Sequence, residues 1–163
     1  MALRWRILRT LFAAAVLSIA ACPAFAQTAP RQDHGLLFLP HGEFGTPLAL
    51  SGGLGVFFET SDDGELLRGF IADGGVGQGG ISASFGYQSF IEYMGLDLRA
   101  VTHRTLWSPR GASEDSTYLG GEIGLTIAFV RLSIGGAHRI SGATGEKATI
   151  KTWSAGVVVP LWR

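Results

Sequence analysis

Apolar residues recur at every second position through most of this chain, and glycines lie inside the apolar segments. From Leu119 to Phe129 the alternate residues are apolar apart from Gly121, whereas the residues between them are small, polar or charged. A period of two indicates a β-strand with two unlike faces, while a helix repeats its apolar residues about every 3.6 positions. Glycine is also costly inside a helix, and the chain has 24 glycines. The pattern therefore predicts strands.

The stretch from Thr117 to Ile140 predicts an antiparallel hairpin with its reversal near Phe129-Val130. One face of this hairpin is aliphatic, and the other carries small and charged groups. The aliphatic face consists of Ile123, Leu125, Ile127, Leu132 and Ile134, opposite a face that includes Glu122 and Arg131.

The same alternation recurs along the rest of the chain. Further strands are predicted at 35–39 (ended by Pro40), 48–58, 67–75, 81–87, 93–107 and 148–162. Clusters of Gly, Pro, Asp and Ser that are typical of turns separate them, at 40–47, 60–65, 75–79, 108–116 and 141–147. The prediction is an all-β fold, an antiparallel up-and-down β-barrel of about eight strands that begins near residue 35 within a single domain, 27–163.

The first 26 residues have the pattern of a secretory signal peptide. A basic segment precedes an apolar run from Leu11 to Ala21, and Ala24-Phe25-Ala26 fits a cleavage site between Ala26 and Gln27. Ile19-Ala20-Ala21-Cys22 resembles a bacterial lipobox, which would make Cys22 a lipidation site; Pro23 and the downstream site favour cleavage after Ala26. We therefore expect an exported protein whose mature chain has no cysteine.

Charge and hydropathy limit the possible partners. The chain after Ala26 has ten basic and thirteen acidic residues, and no run of Lys or Arg points to nucleic acid. No later run of about 18 apolar residues predicts a membrane helix.

Two polarities remain open for an all-β chain of this kind. In a soluble periplasmic barrel or sandwich that binds an apolar ligand, the aliphatic faces would point inward. In an outer-membrane barrel they would face lipid, and small or polar side chains would fill the interior. The Gly, Ala and Ser of the polar faces, a charged fraction of only 16% and aromatic residues near strand ends favour the second arrangement.

In the alternation and composition of their strands, residues 35–163 resemble the small outer-membrane β-barrel proteins of Gram-negative bacteria, although no specific motif is shared. The resemblance implies contact with outer-membrane lipid and with the barrel-assembly machinery during biogenesis; it leaves pore activity and oligomeric state open. Barrels of this kind usually end on an aromatic residue, whereas here Trp162 is followed by Arg163.

Motifs for chemistry are weak. Gly75 to Gly80 matches G-x-G-x-x-G, but no helix pattern follows, so no cofactor is predicted. His138, Ser141 and Glu146 resemble the Ser–His–Glu set of outer-membrane lipid A deacylases, but residues three apart on a strand point to opposite faces. His34, His41, His103 and His138 have no metal-ligand spacing. We predict no catalytic and no metal-binding residues.

The polar faces carry charges that a narrow barrel must pair or hydrate. The candidates for an interior polar network are Asp97, Arg99, His103, Glu122, Arg131 and Arg139. A network of this kind would fill the lumen; a narrow polar passage or a small-ligand site is the alternative. The sequence thus predicts a non-enzymatic outer-membrane barrel with a structural or surface-interaction role. The alternatives are the soluble apolar-ligand binder and a barrel enzyme that modifies lipid A.

Overall fold

Eight antiparallel strands close into a barrel in the computed structural model, which describes residues 35–62, 66–142 and 147–161. The strands are β1 (Leu36–Thr46), β2 (Ala49–Asp62), β3 (Leu66–Gly77), β4 (Gly80–Ile91), β5 (Met94–Thr105), β6 (Ser116–Ile127), β7 (Val130–Gly142) and β8 (Thr149–Val158).

Each strand pairs with its neighbours in sequence, and β1 pairs with β8 to close the sheet. This confirms the predicted all-β, up-and-down antiparallel barrel of about eight strands. Closure matters because it removes the two long free edges that an open eight-stranded sheet would leave to pair with another chain.

The first strand is longer than predicted, because it continues through Pro40 instead of ending there. Residues 40–47 were expected to form a loop, yet β1 pairs with β2 from Leu36↔Phe58 to Gly45↔Ala49. Pro40 is tolerated because its backbone points towards β8 just where β8 ends: its C=O accepts from Val159 N at 3.0 Å. Because β8 has already ended there, none of its residues needs a hydrogen bond from the backbone N–H that proline lacks.

Other boundaries shift by a few residues without changing the order of elements. The hairpin reverses at Ala128-Phe129 and not at Phe129-Val130, since Ile127 pairs with Val130 and Ala128 adopts a left-handed φ of 53°. The predicted turns at 60–65 and 75–79 are also too long, because β2 extends to Asp62 and β3 to Gly77. Both turn predictions rest on turn-type residues that lie within strands here, Ser61 and Asp62 in β2 and Gly75 and Gly77 in β3.

The two ends of the barrel differ in their connections. At what we call the turn end, β4–β5 and β6–β7 are joined by two residues each, and the chain enters β1 and leaves β8. At the loop end lie the short 47–48 and 78–79 connections and the longer 106–115 loop; β7 ends and β8 begins at this end as well. The loop 106–115 is tied to the rim by Arg110 N donating to Pro47 O at 2.9 Å.

Apolar side chains inside the barrel form two clusters, one at each end, and Val101 is a further buried apolar residue between them. At the turn end Leu37, Leu39, Phe57 and Ile71 form a buried cluster, which we call the apolar plug. At the loop end Tyr118 is fully buried with Ala137 and Ile150. The Tyr118 hydroxyl accepts from Ser113 N at 3.0 Å and donates to Lys147 O at 3.2 Å, so it joins two loops. Most of the middle of the lumen is left to polar groups.

The outer wall is apolar on every strand. One large outward side chain from each strand, between 41% and 69% exposed, illustrates this: Phe44, Leu54, Phe70, Phe85, Leu98, Ile123, Ile134 and Trp153. Among the described residues, no helix is long and apolar enough to cross a membrane.

Several sequence predictions lie outside the described residues. They are the signal peptide of residues 1–26 with its cleavage at Ala26 and Gln27, the lipidation of Cys22, and any role of His34, Glu146 or Trp162.

Candidate functional site

The lumen holds a cluster of charged side chains that the alternation of the strands points inward. Inward positions on five different strands carry the members of this cluster: Glu43 on β1, Asp73 on β3, Asp97 and Arg99 on β5, Glu122 on β6 and Arg131 on β7. Because the strands of a small barrel surround a narrow space, side chains from opposite sides of the sheet meet at its axis.

Asp97 is the centre of this cluster and is almost completely buried, with 1% of its surface exposed. Arg131 donates to both of its carboxylate oxygens, from Nη2 to Oδ1 at 2.9 Å and from Nε to Oδ2 at 3.2 Å. Arg99 Nε donates to Asp97 Oδ1 at 2.7 Å. One carboxylate therefore joins two guanidinium groups, and such paired, charge-assisted bonds are the strong kind in a low-dielectric setting.

Each arginine uses its remaining nitrogens on a second carboxylate. Arg131 Nη1 donates to Glu43 Oε1 at 3.1 Å, and Arg99 Nη1 donates to Asp73 Oδ2. The result is a continuous chain Glu43–Arg131–Asp97–Arg99–Asp73 that crosses the lumen from β1 to β3. We call these five residues the charge chain. It carries three carboxylates and two guanidinium groups.

Glu122 extends the polar core towards the loop end. Ser133 Oγ donates to Glu122 Oε2 at 3.2 Å, and the Ser133 and Ser154 hydroxyls lie 2.8 Å apart. His103 Nε2 is 3.5 Å from Glu122 Oε1, which is long for a hydrogen bond but close enough for attraction between a protonated imidazole and the carboxylate. Glu122 and His103 are both buried.

Two small cavities flank the charge chain. The larger, on the loop-end side, offers about 50 Å³ to the centres of water molecules and is lined by His41, Ser82, Ser84 and His103 together with the acidic groups. The smaller, of about 20 Å³, lies between the charge chain and the apolar plug and contacts Gln88 and Thr126. A cavity needs about 10–15 Å³ of such space per water molecule, so these cavities hold only a few waters.

Buried polar atoms next to these cavities are consistent with internal hydration. Several residues that line them have atoms with no hydrogen-bond partner in the described part of the chain: Ser84 Oγ, Gln88 Oε1, Thr126 Oγ1 and both ring nitrogens of His103. A buried polar group without a partner costs free energy, which an internal water can offset.

Glycines on the inward face make room for the charge chain. A Cβ at Gly124 of β6 would overlap the Asp97 carboxylate, and a Cβ at Gly135 of β7 would overlap the Glu122 side chain. On the outward face of β6, Gly121 has its nearest neighbour at 3.6 Å from such a Cβ. The inward glycines are thus the positions at which the large charged groups approach the wall.

Five of the six residues named from sequence as interior candidates are buried inside the barrel: Asp97, Arg99, His103, Glu122 and Arg131. Arg139, the sixth, is half-buried on β7 near the loop end and does not line either cavity. The five aliphatic residues of the hairpin, Ile123, Leu125, Ile127, Leu132 and Ile134, are exposed on the outer wall.

Sequence reasoning missed the two ends of the charge chain. Glu43 was assigned to a loop, and Asp73 lies in the strand whose alternation is least regular. The alternation could have indicated the position of Glu43, because it continues across Pro40. One face of β1 carries Leu37, Leu39, His41 and Glu43, and the other carries Leu36, Phe38 and Phe44. Nothing comparable marks Asp73, because glycines surround it.

The residues compared with a hydrolytic triad lie elsewhere. His138 is exposed on the outer face of β7, and its Nδ1 is 3.2 Å from Thr149 Oγ1. Ser141 is exposed near the end of the same strand, beyond the bulge at Thr117/Tyr118. The described residues contain no group of three or more His, Cys, Asp or Glu side chains arranged to hold a metal ion.

The arrangement can hold charge, position a few waters and tie β1, β3, β5 and β7 together across the lumen. Among the residues that the structure describes, the charge chain and the apolar plug lie in series along the axis and leave no wide path. Comparison of the chain with protein-family models, with curated proteins and with solved structures finds no match in any of the three.

Proposed function

We propose that this chain is a small outer-membrane β-barrel protein, non-enzymatic, with a largely filled polar interior and a structural or surface-interaction role. The observation that carries the proposal is its inverted polarity. Large apolar side chains are exposed on all eight strands, while the carboxylates Glu43, Asp73, Asp97 and Glu122 lie inside. In a soluble barrel the opposite arrangement is stable, because the aliphatic faces are removed from water.

Two further features support the proposal. The strands are 10 to 14 residues long, which is enough to cross a bilayer at the tilt of a closed barrel. Aromatic residues are exposed near both ends, with Tyr93 and Phe129 at the turn end and Trp107 and Trp153 at the loop end. Tyr and Trp favour the boundary between lipid and water.

The lumen supports a structural role over transport. The apolar plug and the charge chain leave cavities that fit only a few water molecules. By the usual arrangement of such barrels, the loop end with its longer connections would face the exterior and the turn end the periplasm. A surface-interaction role would then fall to the 106–115 loop.

Fractionation and labelling test this proposal together. We expect the protein in the detergent-extracted outer-membrane fraction, with a heat-dependent shift in gel mobility. Single cysteines at Ile123 and Ile127 should react with a lipid-soluble maleimide, and matched cysteines at Glu122 and Thr126 should not. Recovery of folded protein from the soluble periplasm without detergent would contradict the proposal and favour the soluble apolar-ligand binder.

A further inference from the structure

Charges of opposite sign are separated between the two faces of the sheet. Among strand residues whose side chains are described, every carboxylate is on the inward face, and none is on the outward face. The outward strand positions carry three cationic side chains: Arg68 near the turn end, and Arg104 and Lys151 near the loop end. The outer wall is therefore apolar with basic residues at its margins.

At the loop end of the β8–β1 seam, Lys151 lies on the same face of the sheet as two packed aromatic rings, and Arg110 contacts one of these rings. Trp153 lies two residues after Lys151, on the same face of β8, and its ring packs edge-to-face against Phe44 of β1 with centroids 5.8 Å apart. The guanidinium of Arg110 reaches from the 106–115 loop to 5.0 Å from the centroid of the Phe44 ring. Thr46 Oγ1 donates to Lys151 O at 3.1 Å and holds the two strands together there.

Both of these cations are exposed and lack carboxylate partners. No described Asp or Glu lies within ion-pair distance of Lys151 or Arg110. Arg104 differs, since its Nη1 already donates to Asp115 O at 3.1 Å and to Thr117 Oγ1 at 3.3 Å. Lys151 and Arg110 thus have free donors, whereas those of Arg104 are partly used within the protein.

We infer that Arg110, Lys151, Phe44 and Trp153 form a binding patch for the phosphate of an anionic lipid at the loop end of the barrel. The inference rests on the proposed membrane location. The two rings would lie at the level where acyl chains meet headgroups, and the two cations would lie just above them, in contact with the phosphate. We call these four residues the lipid patch.

The chemistry of the lipid patch matches that partner. Aromatic rings prefer the interface, and long basic side chains extend along apolar surface to place their charge among headgroups. Each Lys or Arg near an anionic surface raises affinity about fivefold. The Arg110–Phe44 contact also pre-positions a guanidinium whose planar fork suits a phosphate.

The test is competition between lipids for the full chain, refolded in detergent and observed by native mass spectrometry. Equal amounts of phosphatidylglycerol and phosphatidylcholine are added, and retained lipids are counted. We expect the wild-type protein to retain phosphatidylglycerol preferentially. In the double variant Arg110→Gln/Lys151→Gln, the ratio of retained phosphatidylglycerol to phosphatidylcholine should be about five- to twentyfold lower. Arg104→Gln is the matched control and should keep the wild-type preference for phosphatidylglycerol. Inorganic phosphate at equal concentration should not displace the lipid.

Several results would overturn the inference. They are equal retention of the two lipids by wild type, an unchanged preference in the double variant, and displacement by inorganic phosphate, which would indicate a site for the free ion. Heat-dependent mobility checks that each variant is folded, and Lys151→Gln alone provides a milder change. Flotation with vesicles of phosphatidylcholine alone separates the two proposals. If the protein floats with these vesicles but retains both lipids equally in the competition, only the lipid patch is refuted. If the protein does not float, the membrane location is refuted.

Discussion

Asp97 and Arg131 lie 34 positions apart on β5 and β7, yet their side chains make two hydrogen bonds across the lumen, of 2.9 and 3.2 Å. Because β6 separates the two strands in the sheet, the contact depends on the curvature of a closed barrel. The pair forms the middle of the charge chain.

Replacing Asp97 with Asn should destabilise the barrel strongly. The change leaves two buried guanidinium groups without their shared carboxylate, and removing one partner of a buried ion pair costs about 3–5 kcal/mol. Unfolding in urea, with the protein in micelles, measures the loss. Asp115→Asn, in an exposed loop at a left-handed φ of 49° that Asn tolerates, is the control. Equal stability of the two variants would show that the charge chain contributes little.

A methyl group at Gly124 should disturb the same contact from the wall. The added Cβ would overlap the Asp97 carboxylate, and overpacking of this kind costs about 1–3 kcal/mol. Gly121→Ala, on the outer face of the same strand, adds a Cβ whose nearest neighbour is 3.6 Å away, and should change the free energy of unfolding by about 0.5 kcal/mol or less. Unfolding of the two alanine variants at the same urea concentration would contradict close packing of the Asp97 carboxylate against Gly124.

Phe57 and Phe58 are neighbours on β2 and provide a test of the apolar plug. Phe57 is fully buried in the lumen, and Phe58 is 48% exposed on the outer wall. Phe57→Ala removes a buried ring and should lower the free energy of unfolding in micelles by about 3–5 kcal/mol. Phe58→Ala should lower it by much less under the same conditions.

The filled lumen also predicts that the wild-type protein does not conduct ions. Planar-bilayer recordings should show no stable conductance, and open channels would contradict a filled lumen.

A charge on the outer wall distinguishes lipid from water as the surrounding medium. Ile123 is in the middle of β6 and 54% exposed. Ile123→Arg should cost about 2–4 kcal/mol if this wall lies at the bilayer midplane, but about 0.5 kcal/mol or less if water surrounds it. Val130→Arg, at the turn end of β7 and 51% exposed, should cost about 0–1 kcal/mol in either case. Unfolding from phosphatidylcholine vesicles measures both; a neutral effect at Ile123 would count against the membrane location.

The alternation along β5, β6 and β7 was sufficient to predict which face of each strand carries Asp97, Glu122 and Arg131. Because side chains on a strand point alternately to two faces, membership of a face is a local property that can be read from spacing alone. The spacing failed at β1, where Pro40 and the glycines of 40–47 indicate a turn. A Pro is acceptable there only because β8 ends opposite it, and that is a property of the neighbouring strand.

Local spacing thus predicted strands, their number, and a polar and an apolar face for most of them. It could not tell whether the polar face lies inside, nor that Glu43 and Asp73 complete the chain through Arg131 and Arg99. Those features follow from closure: when β1 pairs with β8, the register of eight strands determines which inward side chains reach one another. Partners that are 26, 34 and 88 positions apart meet only after the sheet has curved into a barrel.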